Sequence, residues 1–255
     1  AYSGRLLAEV ADELGKADDA ANYRDTAANA VKAYRAAFTE NGVIHSDRQC
    51  EYVRAIAFAL LGEEESKAAA ETLNRMVAEN DYHLNTGFLS TPFLCDVLAK
   101  YGYTDTAYKL LLQPDAPGWL YEVNMGATTI WERWNSVNPD GKISSISMNS
   151  MNHYAYGAVF EWVYKNVCGL NPVPDVPGYK KAVIRPQPDV RLGAAKARVN
   201  TAAGYYETGW QYEDNGEVTY TVVIPFDAEA EVYLPKKDGT TEEMTLTAGT
   251  YTFTL

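Results

Sequence analysis

The spacing of apolar residues changes once along this chain, and that change limits the folds open to it. Up to about Gly169 the apolar residues recur at helical spacing, whereas after residue 178 they alternate with polar residues, as in a half-buried strand. The connector at 170–181, "LNPVPDVPGYKK", contains too many prolines to continue a helix. The sequence therefore predicts a helical portion, residues 1–178, followed by a small β-domain, residues 179–255.

Turn signals divide the helical portion into successive helices joined by short loops. We expect "NG" at 41–42 to end the second helix, and "SDRQ" at 46–49 has the form of a capping box that opens the third. "TP" at 91–92 supplies an N-cap and a first-turn proline for a later helix. Antiparallel helix pairs build either a solenoid or an α/α toroid, and the absence of a fixed-period consensus favours the toroid.

The β-domain is predicted from its turns and its alternating runs. "EDNGE" at 213–217 and "KKDGT" at 236–240 contain Asn-Gly and Asp-Gly pairs, which accept the positive φ of a hairpin turn. Apolar and polar residues alternate over 218–224, 228–234 and 251–255. We predict a small antiparallel β-sandwich, which makes the chain mainly α plus β.

The acidic composition excludes several classes of partner. The 255 residues carry a formal net charge of -12, whereas binding to phosphates requires a surplus of lysine and arginine. Nucleic acid and anionic membrane surfaces are therefore not expected as partners. No apolar run approaches the roughly 20 residues that span a bilayer, and "AYSGRLLAEV" at the N-terminus has no signal-peptide architecture and no initial Met. We expect an excised part of a longer protein, and no targeting signal assigns it to a compartment.

The cysteines and histidines give no sign of a metal site. Cys50, Cys95 and Cys168 stand singly in helical patterns, which is typical of small buried apolar residues. His45, His83 and His153 are far apart and form no pair with metal-ligand spacing. Glycine-rich nucleotide-binding motifs are absent as well. We therefore expect no metal and no cofactor.

Most of the predicted connections between helices are short, but two are long, at 80–90 and 114–150. Long connections in compact domains are usually functional or disordered, and the aromatic content of the second makes disorder improbable. Within it, "TTIWERWNS" sets Glu132 between Trp131 and Trp134. Two interpretations remain open: a sugar site with indole rings and a carboxylate, or a buried Trp pair beside a surface pair of Glu132 with Arg133.

Four blocks in this order resemble the C-terminal half of bacterial α-L-rhamnosidases of glycoside hydrolase family 78. The blocks are "NTGFLSTPFL", "GWLYEVNMGATTIWERWNS", "SMNSMNHYAYGAVFEWVYKNVCGL" and "PGYKKAVIRPQP". The resemblance implies part of an (α/α)6 barrel of helix hairpins followed by a C-terminal β-sandwich. It also implies hydrolysis of terminal α-L-rhamnosyl groups with inversion, so the expected partner is a rhamnosyl glycoside or oligosaccharide.

The resemblance also implies roles for individual residues. Glu132, in the "TTIWERW" block, would be the general base that activates water, and His153, in the "NHYAYG" block, would bind rhamnose. Trp134 and Tyr121 are further candidates for substrate binding. His153 is expected on the apolar stripe of a helix over 150–169. Trp162 and Trp210 fall on periodic positions and are assigned to packing.

The family's general acid lies in a "DERLGWTGD"-like segment that this sequence lacks, and about seven helices can be counted where a full barrel has twelve. We therefore expect the C-terminal portion of a larger enzyme, inactive alone and with exposed apolar helix faces that favour self-association. Two other functions stay open. One is a helical interaction scaffold; the other is a non-catalytic carbohydrate binder that uses the aromatic residues Tyr205, Tyr206, Trp210 and Tyr212 of the β-domain.

Overall fold

The computed structural model describes all 255 residues, and the chain divides into two compact units, Ala1–Ala158 and Val159–Leu255. The predicted domain boundary between residues 178 and 179 lies inside the second unit and stays a prediction. None of the helices combines the length and the apolar character needed to cross a membrane.

The first unit is built from helical hairpins. Helix α1 packs on α2, α3 on α4, and α5 on α6, while α5 also contacts α3 and α4. The helices are α1 (Tyr2–Glu13), α2 (Ala17–Phe38), α3 (Gln49–Ala57), α4 (Glu63–Glu79), α5 (Thr91–Lys100), α6 (Thr104–Leu111) and α7 (Trp119–Asn124). Their core is apolar, with Val53, Leu73, Leu94 and Leu98 fully buried. The predicted succession of paired helices is confirmed.

The first hairpin packs through small residues and not through its large apolar ones. A Cβ added to Gly4 would lie 3.2 Å from the Cβ of Ala27, so the backbone of α1 runs very close to α2. Ala8 and Ala11 are buried in the same hairpin. The larger apolar side chains at 6, 7, 10 and 14 instead remain exposed, since close approach of two helices needs small residues between them.

Two of the expected helix-end signals have other roles. Helix α2 ends at Phe38, and "NG" is the turn of a short hairpin, β1 (Thr39–Glu40) with β2 (Val43–Ile44), in which Asn41 and Gly42 both have positive φ. The predicted capping box at "SDRQ" is wrong. Helix α3 starts at Gln49 without a side-chain cap, because the Gln49 side chain accepts a hydrogen bond from the N–H of Asn85 at 2.7 Å.

Beyond α7 the first unit continues as an irregular hairpin. The N–H of Asn138 donates to Lys142 O at 2.8 Å, and Val137 forms an isolated bridge with Ile143. The returning arm runs to a 3₁₀ turn at Ala155–Ala158. The predicted helix over 150–169 is therefore wrong in its first part, because the main chain there is hydrogen-bonded to the outgoing arm.

The second unit begins with a short helix, α8 (Val159–Trp162), and a π-helical turn at Val163–Val167. Its strands are β3 (Leu170–Pro172), β4 (Lys181–Ile184), β5 (Ala194–Thr201), β6 (Gly204–Tyr212), β7 (Val218–Pro235) and β8 (Thr241–Thr254), with a 3₁₀ turn at Pro177–Tyr179. They form one six-stranded sheet. The fold class, mainly α plus β, is confirmed.

The predicted antiparallel β-sandwich is not strictly confirmed, because the six strands form one sheet, and that sheet differs from the prediction in two further details. Strand β4 pairs with β7 in parallel, with Lys181 opposite Glu229, whereas the other pairs are antiparallel. The two alternating runs over 218–224 and 228–234 form a single strand, β7, with an irregularity between Ile224 and Glu229. Alternation predicts which residues face the core, but it cannot predict a bulge that lets one strand continue.

Buried side chains of β6 anchor the start of the second unit. Trp210 donates from Nε1 to Val167 O at 2.7 Å, and Thr208 Oγ1 donates to Cys168 O at 3.0 Å. These bonds satisfy carbonyl groups at the end of the π-helical turn, where no further helical turn follows. Trp162 and Trp210 are both buried, which confirms their assignment to packing.

Candidate active site

Glu132 lies on the outgoing arm of the irregular hairpin, opposite the returning arm. Its N–H donates to Ser150 O at 2.9 Å, and one pair earlier the N–H of His153 donates to Ile130 O at 2.8 Å. These two bonds bring Glu132 and His153, distant in sequence, into one small region. The hairpin is thus what joins two of the residues predicted for the site.

Glu132 opens onto a cleft of about 450 Å³. Three segments of the first unit supply its walls: the loop before α5, both arms of the hairpin, and the 3₁₀ turn. The lining residues are Phe88, Glu132, Arg133, Trp134, Asn135, Ser147, Met148 and Tyr156. A cleft with apolar walls and a few polar groups is typical of a small-molecule site.

The Glu132 carboxylate is half-buried and held on one side only. Its Oε2 accepts a hydrogen bond from the N–H of Ser150 at 2.7 Å, whereas Oε1 accepts none from the protein. Arg133 is exposed and forms no ion pair with Glu132, so the surface salt bridge considered from the sequence is not present. One oxygen therefore fixes the side chain and leaves the other available.

The indole of Trp134 packs into an aromatic cluster. Its ring stacks on Tyr156 with centroids 3.9 Å apart and meets Trp119 edge-on at 5.2 Å. Trp134 lines the cleft but is only 9% exposed, so it offers a small part of its ring to a ligand. Trp131, the other indole beside Glu132, is buried and does not line the cleft.

Tyr156 lies close to two carboxylates. Burial is the largest cause that raises the pKa of its hydroxyl, followed by the nearby charge of Glu122, while the charge of Glu132 raises it further. Tyr156 itself lines the cleft and is buried. Tyr156 was not predicted as a site residue, although it stands in the same block as His153.

His153 lies in the returning arm, not on a helix, and this corrects its predicted location. Its imidazole is half-buried and stacks on Phe88, with ring centroids 4.9 Å apart. The N–H of Ala155 donates to Nδ1 at 3.3 Å, which leaves the proton of the neutral ring on Nε2. Phe88 belongs to the first of the two long connections, at 80–90.

The structure does not bring Tyr121 to the cleft. The residue is buried on α7, and its hydroxyl donates to Val137 O at 2.7 Å. The hydroxyl is therefore already used to hold the outgoing arm of the hairpin.

Glu122, also on α7, was not singled out in the sequence. It is 2% exposed, and its Oε2 accepts a hydrogen bond from the N–H of Trp131 at 3.1 Å, while Oε1 is buried without a partner. Burial raises the pKa of this carboxyl to about 7, against a smaller lowering by the Trp131 bond. Its sequence signal was a charged residue three positions after Trp119, on the same face of an apolar helix.

No group of three His, Cys, Asp or Glu side chains in the chain is arranged to hold a metal ion. Cys95 and Cys168 are buried as expected, and Cys50 is only half-buried. Burial raises the pKa of the Cys168 thiol to about 11. These thiols are therefore suited to packing and not to nucleophilic chemistry.

Two family profiles cover almost the whole chain. Residues 1–167 match the bacterial alpha-L-rhamnosidase 6 hairpin glycosidase domain, and residues 169–248 match the bacterial alpha-L-rhamnosidase C-terminal domain. The first match includes Glu132, His153 and all residues that line the cleft.

Related full-length proteins agree with these matches. An alpha-L-rhamnosidase of Streptomyces avermitilis is 42% identical over 236 residues, which is 92% of this chain and 22% of the relative. One of Formosa agariphila is 40% identical over 237 residues, 92% of this chain and 25% of the relative. The chain thus spans about a quarter of the length of these relatives.

Solved structures show the same fold. The Streptomyces avermitilis alpha-L-rhamnosidase complexed with L-rhamnose has a TM-score of 0.89 at 37% identity, covering 100% of this chain and 26% of that one. The alpha-L-rhamnosidase of Aspergillus terreus has a TM-score of 0.90 at 32% identity, covering 99% of this chain and 29% of that one.

Proposed function

This chain belongs to the bacterial α-L-rhamnosidase family, and from that premise we propose that Glu132 is the general base of an inverting rhamnosidase. One observation carries the proposal. Glu132 presents a half-buried carboxylate to an aromatic-lined cleft, with Oε2 held by the N–H of Ser150 and Oε1 not engaged by the protein. A base needs this combination of fixed orientation and an available oxygen.

In the proposed step, Glu132 takes a proton from a water molecule on the face of the sugar opposite the leaving group. The water oxygen forms a bond to the anomeric carbon while the glycosidic C–O bond breaks, and the leaving oxygen receives a proton from a general acid. The product sugar has the inverted configuration. Room for the water requires the two carboxyl groups to lie about 6.5 to 9.5 Å apart.

Substrate binding is assigned to the groups around the cleft. His153 does not itself line the cleft but stacks on Phe88, which does. It supplies Nε2–H as a donor to a sugar hydroxyl, because its Nδ1 already accepts a bond from Ala155. Trp134 and Phe88 supply apolar surface for the ring face. The substrate class is a rhamnosyl glycoside or oligosaccharide, as the family implies.

We assign the general acid to a part of the enzyme that this sequence does not contain. No "DERLGWTGD"-like segment is present in the chain, and the buried Glu122 cannot reach a leaving group. Acid and base catalysis each contribute typically 10² to 10⁴-fold. The chain alone is therefore expected to be close to inert.

Glu132→Gln in the full-length enzyme tests the proposal. The substitution keeps the size of the side chain and the acceptor for Ser150 but removes the base, so kcat on an aryl α-L-rhamnoside should fall by about 10² to 10⁴-fold. Binding of L-rhamnose, measured by calorimetry, should survive. Glu79→Gln is a matched control, since Glu79 is an exposed glutamate in an ion pair with Arg75.

A Glu132→Gln enzyme that keeps most of its kcat would remove Glu132 from the mechanism. NMR of the fresh product tests the stereochemistry separately, and retention at the anomeric carbon would contradict an inverting reaction whatever the role of Glu132.

The two other functions are less well supported. A carbohydrate site on the β-domain needs several exposed aromatic rings, but Tyr206 and Trp210 are buried and Tyr212 is half-buried. Tyr205 is 37% exposed, and its ring is covered by the Arg198 guanidinium, 3.5 Å from the ring centroid. Titration of the segment 179–255 with rhamnosides should show no binding. A purely structural scaffold does not account for an aromatic-lined cleft around a carboxylate.

A further inference from the structure

Three side chains of the short helix α7 hold main-chain groups of the segments that build the cleft. Trp119 donates from Nε1 to Tyr156 O at 2.9 Å, and Tyr121 donates from its hydroxyl to Val137 O at 2.7 Å. Glu122 accepts from the N–H of Trp131 at 3.1 Å. Glu132 lies between Trp131 and Val137, the two residues of the outgoing arm whose main chain is hydrogen-bonded to α7.

Of these three side chains, Glu122 costs the most free energy to bury. A carboxyl that is 2% exposed and has one oxygen without a hydrogen-bond partner is an expensive way to accept one main-chain bond. An asparagine or glutamine amide could accept the same bond without a titratable group. A buried carboxyl acceptor is expected where the position of the main chain that it binds matters. Here the Glu122 carboxyl holds the N–H of Trp131, the residue directly before Glu132.

The same geometry excludes a direct chemical role. A general acid must come within hydrogen-bond reach of the leaving oxygen. Glu122 does not line the cleft, and its carboxyl is enclosed by α7 and the outgoing arm. Its effect on the reaction must therefore pass through the main chain.

We propose that Glu122 is a positioning residue for Glu132, whose main chain it fixes at Trp131 while Tyr121 fixes the same arm at Val137. The proposal rests on the role of Glu132 as the base. A segment held on both sides cannot shift along the cleft, and the Ser150 N–H then sets the direction of the carboxylate. Catalytic groups need to be held within about 0.5 Å of their productive geometry.

The test compares Glu122→Met with Glu122→Gln in the full-length enzyme. Methionine has a similar length but no acceptor, so the Trp131 N–H loses its partner; kcat should fall by roughly 10- to 100-fold with little change in KM, since a displacement of about 1 Å costs about 10²-fold. Glutamine keeps an acceptor oxygen and should recover most of the lost kcat. Exchange of the Trp131 amide proton should be faster in the Met variant and return towards the wild-type rate in the Gln variant.

Thr208→Val is the matched control for lost stability. It removes a buried side-chain hydrogen bond to a main-chain carbonyl, that of Cys168, in the other unit. Its kcat should stay at the wild-type value even where its melting temperature falls as far as that of Glu122→Met. A merely structural role for Glu122 predicts that both variants behave like this control.

Each other outcome overturns the proposal. If the Met variant keeps its kcat, the acceptor does not position Glu132; if Met and Gln lose kcat equally, the carboxyl acts through its charge or proton; if only KM rises, the residue shapes the binding site. Should the Met variant fail to fold, Glu122→Asp, which keeps the charge but shortens the reach by one methylene, must show the same loss of kcat. Glu132→Gln is measured in parallel, and its retention of activity would remove the base itself, not only the residue that positions it.

Discussion

At the residue scale, Glu122 on α7 and Glu132 on the outgoing arm have opposite surroundings. Glu132 is half-buried and has a main-chain donor on one oxygen, whereas Glu122 is buried and has one oxygen without any partner. Glu132 faces the cleft and is accessible to a molecule bound there. Glu122 is shielded from it, and its protonation is instead coupled to folding.

This coupling predicts that Glu122 makes stability depend on pH. Its pKa is raised from 4.5 to about 7 by burial, so the folded chain binds this proton more tightly than the unfolded chain. The stabilisation is fully present below about pH 4.5 and is lost as the pH rises through about 7, by up to about 3 kcal/mol. Glu122→Gln, which does not titrate, should flatten this part of the curve. Urea denaturation between pH 4 and 8 measures the difference, and parallel curves for the two proteins would contradict the raised pKa.

The sequence indicates Glu132 as a candidate far more directly than Glu122, for a physical reason. Glu132 stands between two indoles, a local pattern typical of sugar sites. The partner of Glu122 is a main-chain N–H across a turn, and main-chain donors leave no trace in a sequence. Tyr121 illustrates the same limit, since its hydroxyl is used by the main chain of Val137.

At the element scale, the helices were predictable because their apolar spacing is local, although the turn signals at 41–42 and 46–49 did not mark their ends. The His153 segment was not, because its hydrogen bonds run to Ile130 on the other arm of the hairpin, and tertiary pairing there outweighs helical spacing. The parallel pairing of β4 with β7 and the irregularity after Ile224 are likewise set by strand neighbours that the sequence pattern does not name.

Gly169 is the junction between the π-helical turn and β3, and it should tolerate no side chain. Its φ is +75°, and an added Cβ would lie 2.1 Å from the N of Pro186 and 2.2 Å from the carbonyl carbon of Arg185. Both contacts are to main chain, which cannot rotate away. We expect Gly169→Ala to lower the free energy of unfolding by about 3 kcal/mol or more.

Gly193→Ala is the control for this substitution. Gly193 has a similar φ of +78°, but an added Cβ meets nothing within 4 Å. Gly193→Ala should lower the free energy of unfolding only by the cost of holding an alanine in the left-handed conformation, about 1–2 kcal/mol. Equal losses at the two positions in chemical denaturation would show that conformation, and not the contact with residues 185 and 186, decides the effect.

At the scale of the whole molecule, α1 leaves an apolar face without a partner. Leu7 is 48% exposed and Val10 54%, and Leu6 on the same helix and Leu14 directly after it are exposed as well. We predict that the chain self-associates, because contiguous apolar patches favour association.

Sedimentation at tens of micromolar measures this association. Leu7→Glu combined with Val10→Glu should shift the chain towards monomer, whereas Val190→Glu, at a singly exposed valine, should not. A monomeric wild-type chain would contradict the prediction.

The long strand β7 has a consequence for the order in which the second unit folds. Its pairing with β8 grows from the turn at 236–240 and continues from Pro235 opposite Thr241 to Thr219 opposite Thr254, so each new pair closes a small additional loop. The pairing of β4 with the same strand must instead close a loop that contains β5 and β6. Local pairs form faster than distant ones. During refolding, the amides of the β7–β8 hairpin should therefore become protected from hydrogen exchange first. Strand β4 should pair last, with a strand β7 that is already formed.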